Sequence, residues 1–382
     1  MSHSPIWRTP FLDDRHRALA ERLLAWGIPD IGHEPEDFGP PVRTILRALA
    51  TEGLLDLIIP RDGGPVDLRA ICLVREILAY RSGGVADTSF VMQGIGTTAI
   101  WMAGGTGDAA RYLDSARAGE TVAAFALTEP DTGSDVANIT TSAIRDGDSY
   151  VLSGTKTFIS NAGVADHYLV VARTGEGPGA KGLSIFLVDA ATPGLTITPQ
   201  RYVAAHAGGS LALVDVRVPA SRLIGTPGGG FKAAMATFDI FRASVGAAAL
   251  GFGRRALDEA LDRTTSRQLF GKRMADMDGV QTQLADMTTA LENAGMQVYR
   301  AAWAKDTSGE RCTREVSMAK MVATEAAQQV VDAAVQLFGG AGVTHGSTVE
   351  RLYREVRPMR IYEGATEVQK LVIAREMLRA RN

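Results

Sequence analysis

Between residues 121 and 218 the apolar side chains fall into short β-branched and aromatic runs with no helical stretch to join them. The runs cover 121–127, 149–152 leading into 157–159, 167–172, 183–188, 195–197 and 211–218. Turn formers such as Asp146-Gly147 and Gly175-Glu176-Gly177-Pro178-Gly179 separate them. Parallel strands need long crossover connections, and none is available here. The middle third is therefore expected to be an antiparallel β-domain and not a stack of βαβ units.

Both flanks read as helix. Apolar spacing predicts helices over 13–26, 42–52, 66–81, 88–103 and 106–118, with Gly27 and Pro29 stopping the first and the 60–64 segment breaking a later junction. Beyond Gly228-Gly229-Gly230, two stripes keep steps of four and three. One is Val280, Leu284, Met287, Leu291, Ala294, Val298 and Ala301; the other is Ala319, Ala323, Ala326, Val330, Ala333 and Leu337. Antiparallel helices bury such seams in a bundle. The expected fold is α+β and multi-domain: an N-terminal helical domain (1–120), a middle antiparallel β-domain (121–226) and a C-terminal four-helix-bundle-like domain (227–382).

A length of 382 residues and an apolar share of 46% suit two or three packed cores. A net charge of −3 gives no electrostatic case for nucleic acid or an anionic membrane as partner. Cys72 and Cys312 are too few and too distant for a disulfide framework or zinc spacing. His206 and His345 have no acidic or Cys partner at ligand spacing, so no metal is expected. Asp13, Asp14, Arg15 and Arg17 precede any long apolar run, which excludes an ordinary signal peptide. No stretch reaches the roughly 18 uncharged apolar residues of a membrane span. A cytoplasmic location is the expectation. Gly-x-Gly-x-x-Ala occurs at 94–99, 105–110 and 251–256, but in helical territory without the βαβ context of a dinucleotide fingerprint.

Four segments join turn chemistry to polar residues in a way that a core does not require: 125–135 (FALTEPDTGSD), 156–162 (KTFISNA), 336–342 (QLFGGAG) and 360–367 (RIYEGATE). With Phe270-Gly271-Lys272, and in this order, they resemble the acyl-CoA dehydrogenase family of flavoproteins. The resemblance spans nearly the whole chain and is strongest from about residue 121 onward.

That resemblance implies α,β-dehydrogenation of an acyl-CoA thioester to the trans-2-enoyl-CoA. FAD would lie between the β-domain and the C-terminal bundle, and the electrons would pass to an electron-transfer flavoprotein. Phe125, Leu127 and Thr128 would meet the pyrimidine side of the flavin; Phe158, Ile159 and Ser160 would cover its face. Many relatives carry Trp where Phe158 stands, and Phe keeps the stacking surface without the N–H. Arg267 and Phe270 match the segment that grips FAD pyrophosphate and adenosine from a neighbouring subunit, and Gln336, Gly339 and Gly340 match the adjoining loop. Ala365, Thr366 and Glu367 follow at the FAD-contacting helix start. Shared sites imply a homo-oligomer, a dimer or tetramer.

Glu363 aligns with the catalytic base, and its apolar flanks Ile361 and Tyr362 suit a desolvated carboxylate that takes the α-proton. The base's own backbone N–H and a ribityl hydroxyl would stabilise the thioester oxygen. Some relatives place the base immediately before the arginine corresponding to Arg242; here that residue is Phe241. Ser134, Phe238, Asp239, Arg242 and Gly364 match substrate contacts, and Val91, Ile95 and Trp101 are expected at the acyl end. Asp278 stands where many relatives have Gln, and Arg273 would offset its charge. The competing readings are a same-fold flavin oxidase or nitroalkane-oxidase-like enzyme, and a catalytically silent FAD-binding partner protein.

Overall fold

The computed structural model describes residues 9–61, 63–105 and 107–381; Asp62 of the expected 60–64 break and Thr106 of the expected 106–118 helix lie outside them. α1 (Asp14–Ala25) starts from a capping box between Asp13 and His16, which satisfies its first amides. α2 (Gly39–Thr51) carries proline in its first turn, where no amide is needed. α3 (Leu68–Arg81) is capped by the Asp67 carboxylate, which accepts from Ala70 N at 3.1 Å. α4 (Gly84–Met102) and α5 (Asp108–Arg117) follow. α3 and α4 are buried on nearly every side, so they read as central helices and not amphipathic surface ones.

The strands are β1 (Ala123–Ala126), β2 (Ser142–Asp146), β3 (Ser149–Ser160), β4 (His167–Arg173), β5 (Leu183–Asp189), β6 (Leu195–Pro199), β7 (Gly208–Pro219) and β8 (Leu223–Ile224). They form one sheet in the order β6-β7-β3-β2-β4-β5-β8, with β1 beside β4. The hairpin pairings β2/β3, β3/β7, β4/β5, β5/β8 and β6/β7 are antiparallel, as expected. Two contacts to β4 are not: β1 runs parallel to it, and β2 meets it in parallel at Ser142 and Arg173. The long stretch 127–141 allows this, because it carries the chain back across the sheet with no more than one short 3-10 turn, Val136–Asn138. β2 itself escaped the sequence reading, since its Ser142, Arg145 and Asp146 interrupt any apolar run.

α6 (Gly230–Ser266) begins after the glycine run, and a small hairpin of β9 (Gln268–Leu269) and β10 (Lys272–Arg273) leads to α7 (Asp278–Ser308). α8 (Thr313–Phe338), α9 (Thr348–Val356) and α10 (Thr366–Arg379) complete the chain. α6 is long and apolar enough to cross a membrane by length and composition, but 67% of its most apolar window is buried within the protein.

The chain divides into two compact units. Among the described residues, one joins 9–27, Asp67–Gly84 and 239–381; the other takes those within Ile28–Val66 and Val85–Phe238. In the first, fully buried Glu76 of α3 accepts from Arg254 of α6 at 2.8 Å and from the Tyr299 hydroxyl of α7 at 2.7 Å, which ties three helices together. Of the Gly-x-Gly-x-x-Ala glycines, Gly96, Gly105, Gly251 and Gly253 serve packing, while Gly107 has open space at its Cβ position. A Cβ on Gly96 would sit 2.7 Å from the Ala123 Cβ, and one on Gly251 would collide with the Glu76 carbonyl oxygen.

Candidate active site

Among the described residues, Phe158, Asn161, Asp215, Phe270 and Glu363 are the non-glycine residues with positive φ. Left-handed backbone costs an L-residue roughly 1–2 kcal/mol and persists where the surroundings impose it. Three of these five are residues that the sequence singled out for flavin or proton chemistry, so the strain falls on the candidate site and not at random.

In the sheet unit, Leu127 and Thr128 end the stretch after β1, and a buried ion pair fixes them. Lys156 Nζ donates to the Leu127 carbonyl and to Glu129 Oε1, each at 2.9 Å. Glu129 also accepts from Thr140 N (2.6 Å), the Thr140 hydroxyl (2.8 Å) and Thr141 N (2.9 Å). Burial alone would raise the Glu129 pKa; hydrogen bonds from Thr141, Lys156 and Thr140 overcome this and bring it down to about 2. The Lys156 pKa falls to about 8, mainly through burial. Thr157 N then donates to the Thr128 carbonyl at 2.9 Å, which brings the 127–129 and 156–160 segments side by side. The β3/β7 register shifts between Lys156 and Ile159, and this bulge turns Phe158 outward at φ 57° and 65% exposure. Ile159 is buried and Ser160 is half-buried. Phe125 is buried edge-on against Phe238, with ring centroids 5.9 Å apart. Ser134 is exposed on the 130–135 turn, and Val91, Ile95 and Trp101 are buried in this unit's core.

In the helical unit, Glu363 sits at φ 50° in the loop before α10 and is half-buried. Gly364 follows at φ 89°, where a Cβ would collide with the Gln369 amide. Gln369 Nε2 donates to the carbonyls of Glu363 (3.2 Å) and Gly364 (2.9 Å). From α8, Lys320 Nζ donates to the same Gly364 carbonyl at 2.9 Å. Glu325, also on α8, accepts from Arg360 Nε at 2.9 Å and from the Thr366 hydroxyl at 2.8 Å, and so anchors both ends of the loop. Ala365 is half-buried, Thr366 buried and Glu367 exposed. Arg242 is buried and donates to Asp239 at 2.9 Å, while Asp239 accepts from the Thr313 hydroxyl at 3.0 Å. Phe241 is fully buried in the core.

Lys320, Gln369, Glu325, Glu129 and Lys156 were not among the expected site residues. For Lys320 a signal existed, because it lies on the stripe Val316, Ala323 and Ala327 of α8.

Arg267 is exposed at the end of α6, and Phe270 is 96% exposed at the hairpin tip with φ 50°. Arg263, one turn before Arg267, lies over the Phe338 ring at 5.4 Å, which joins the hairpin's root to the end of α8. Gln336, Gly339 and Gly340 are exposed there, with open space where a Cβ on either glycine would stand. The suggested Asp278–Arg273 pair does not form. Arg273 pairs with Asp276 at 2.9 Å, and Asp278 occupies the first turn of α7, where the helix dipole favours an acid.

The acyl-CoA dehydrogenase middle domain matches residues 124–215 and the acyl-CoA dehydrogenase C-terminal domain matches residues 228–378. A cyclohexane-1-carbonyl-CoA dehydrogenase of Geobacter metallireducens is 37% identical over 341 residues, 88% of this chain and 89% of that one. The chain belongs to the acyl-CoA dehydrogenase family. It is thus an oxidoreductase acting on CH–CH groups, with the helical, sheet and helical parts of that family's fold. Among solved structures, an acyl-CoA dehydrogenase from Geobacillus kaustophilus has a TM-score of 0.86 at 30% identity, covering 96% of this chain and 99% of that one. A glutaryl-CoA dehydrogenase from Mycobacterium smegmatis, solved in complex with FADH2, has a TM-score of 0.83 at 25% identity, covering 96% and 95%. Acyl-CoA dehydrogenases are FAD-dependent, and this chain's residues fit that cofactor. Its two outward phenyl rings suit flat aromatic surfaces, Thr128 and Ser160 offer hydroxyls, and the open Gly339-Gly340 backbone suits close approach to a diphosphate.

Proposed function

We propose that this acyl-CoA dehydrogenase removes the α-proton of an acyl-CoA thioester with Glu363 and yields the trans-2-enoyl thioester. The observation that carries this reading is the Glu363 turn: a carboxylate held in left-handed backbone, with its own carbonyl bonded from α10, the Gly364 carbonyl bonded from α8 and α10, and both loop ends anchored on Glu325. Such over-determination suits a base that must meet a C–H bond at fixed distance, since misplacement by an ångström costs about 100-fold.

Leu127, Thr128, Phe158, Ile159 and Ser160, with Phe125 behind them, would hold the flavin ring. Arg267, Phe270, Gln336, Gly339 and Gly340 would hold the pyrophosphate and adenosine, and Ala365, Thr366 and Glu367 would complete the contacts. The chemistry that FAD supplies when bound is acceptance of the β-hydride. Ser134, Phe238, Asp239, Arg242 and Gly364 would orient the thioester and the CoA arm, and the Glu363 backbone N–H would donate to the thioester oxygen as negative charge grows on it. An electron-transfer flavoprotein would reoxidise the enzyme, and copies of the chain would share FAD sites.

The test is anaerobic titration of the holoenzyme with butyryl-, isobutyryl-, glutaryl- and cyclohexane-1-carbonyl-CoA, the last two chosen because the relatives named for them share the fold. Bleaching of the flavin by at least one ester is expected. Glu363→Gln should lose at least about 100-fold in the rate of bleaching, the scale of a general base, while keeping its flavin. Full turnover in Glu363→Gln would overturn the assignment.

A further inference from the structure

We propose that Lys320, buried on α8, is a positioning residue for Glu363: it pins the turn that carries the base and places a fixed positive charge beside its carboxylate. This rests on the reading of Glu363 as base. Lys320 has no exposed surface, and its ammonium is held against the carbonyl of Gly364, the residue next to the base. A buried ammonium is expensive and persists where partners and opposite charge repay it. The turn does not need Lys320 for anchoring alone. Gln369 already bonds the Glu363 and Gly364 carbonyls, and Glu325 already ties Arg360 and Thr366. What Lys320 adds is charge.

The groups whose charges act on Lys320 come from four segments. Glu363 lies in the loop, Arg242 on α6, Glu325 on α8 itself and Glu367 on α10. Burial is the largest influence and lowers the Lys320 pKa to about 8, with Arg242 adding to the fall, while Glu363, Glu325 and Glu367 act against it. At neutral pH the ammonium is mostly protonated. The attraction is mutual, so the charge that Glu363 lends to Lys320 favours the ionised, proton-accepting form of Glu363 in return. Arg242 pairs with Asp239 and Arg360 with Glu325, whereas Lys320 places its ammonium on the carbonyl next to the base.

The experiment compares wild type, Lys320→Met, Lys320→Gln and Glu363→Gln as FAD-loaded enzymes. The probe is whichever of the four acyl-CoA esters above reduces the wild-type flavin fastest, with stopped-flow reduction followed from pH 5.5 to 9. Flavin content and Tm are recorded for each variant. Lys320→Met should slow reduction at neutral pH by about 10-fold or more and move the acidic limb of the rate profile upward by about one pH unit. Lys320→Gln, which can still donate to the Gly364 carbonyl, should recover the rate at high pH yet keep the displaced limb. An acidic limb that stays in place in both variants, with any rate loss matched by lost flavin or a lower Tm, overturns the proposal. If Glu363→Gln is inactive and the limb is unmoved, Lys320 alone has been misassigned. If Glu363→Gln turns over normally, the base assignment fails and this inference with it.

Discussion

Lys156 and Glu129 carry opposite charges with almost no exposed surface, 0% and 4%. Removing one partner of such a pair strands the other, which costs about 3–5 kcal/mol. Lys156→Met should therefore lower stability by that amount in chemical denaturation of the flavin-free protein. Adding Glu129→Gln should recover part of the loss, because no charge is then left buried. The pair also sets an acid limit. Glu129 titrates near 2 in the fold against 4.5 for an ordinary glutamate. Its contribution is complete above about 4.5 and disappears as the pH falls toward 2, so melts between pH 2 and 6 should lose this slope in Glu129→Gln. Neither lysine was read as a site residue from the sequence, although Lys320 lies on the buried stripe of α8. Lysine reads as a surface residue by type. Only the folded chain brings Lys156 against Glu129 across 27 positions, and Lys320 against Gly364 across 44. Glu363 could be singled out because its turn chemistry and its neighbours lie within four residues of one another.

At the scale of elements, periodicity located most helices and strands to within a few residues, since an apolar stripe or run is a local property. The parallel approach of β1 to β4 was hidden because it depends on a register across some 40 positions. The glycine motifs show the same division. Their spacing imitates a nucleotide fingerprint, but the surroundings of Gly96 and Gly251 make them contact points for neighbouring backbone. Gly251→Ala would drive a methyl into the Glu76 carbonyl oxygen, and the α3–α6 contact should lose about 1–3 kcal/mol, as overpacking does. Gly279, in the first turn of α7, has open space at its Cβ position and no positive φ. Gly279→Ala should instead raise stability by about 0.5 kcal/mol through the unfolded chain. Denaturant midpoints of the two variants, measured side by side, check both signs. Equal destabilisation would mean that glycine content, and not close approach, governs these sites.

For the whole molecule, Phe270 stands 96% exposed at the tip of a hairpin that presents Arg267 at its root, a costly arrangement for a phenyl ring facing water. The proposed sharing of FAD between copies accounts for it and leads to a complementation test. If each active site combines Glu363 of one subunit with Arg267 and Phe270 of another, Glu363→Gln and Arg267→Ala should each be poorly active alone, the first in proton removal and the second in flavin retention. In a hybrid dimer, one site receives both defects and the other receives neither. Random pairing of equal amounts makes half of the dimers hybrid, so co-expression should restore about a quarter of wild-type sites. The readout is anaerobic flavin bleaching per subunit in the whole co-expressed pool, and hybrids isolated through two different tags should reach about half. Activity no greater than the mean of the two parents would place Glu363 and Arg267 in the same site on the same chain, and the exposed hairpin would need another partner.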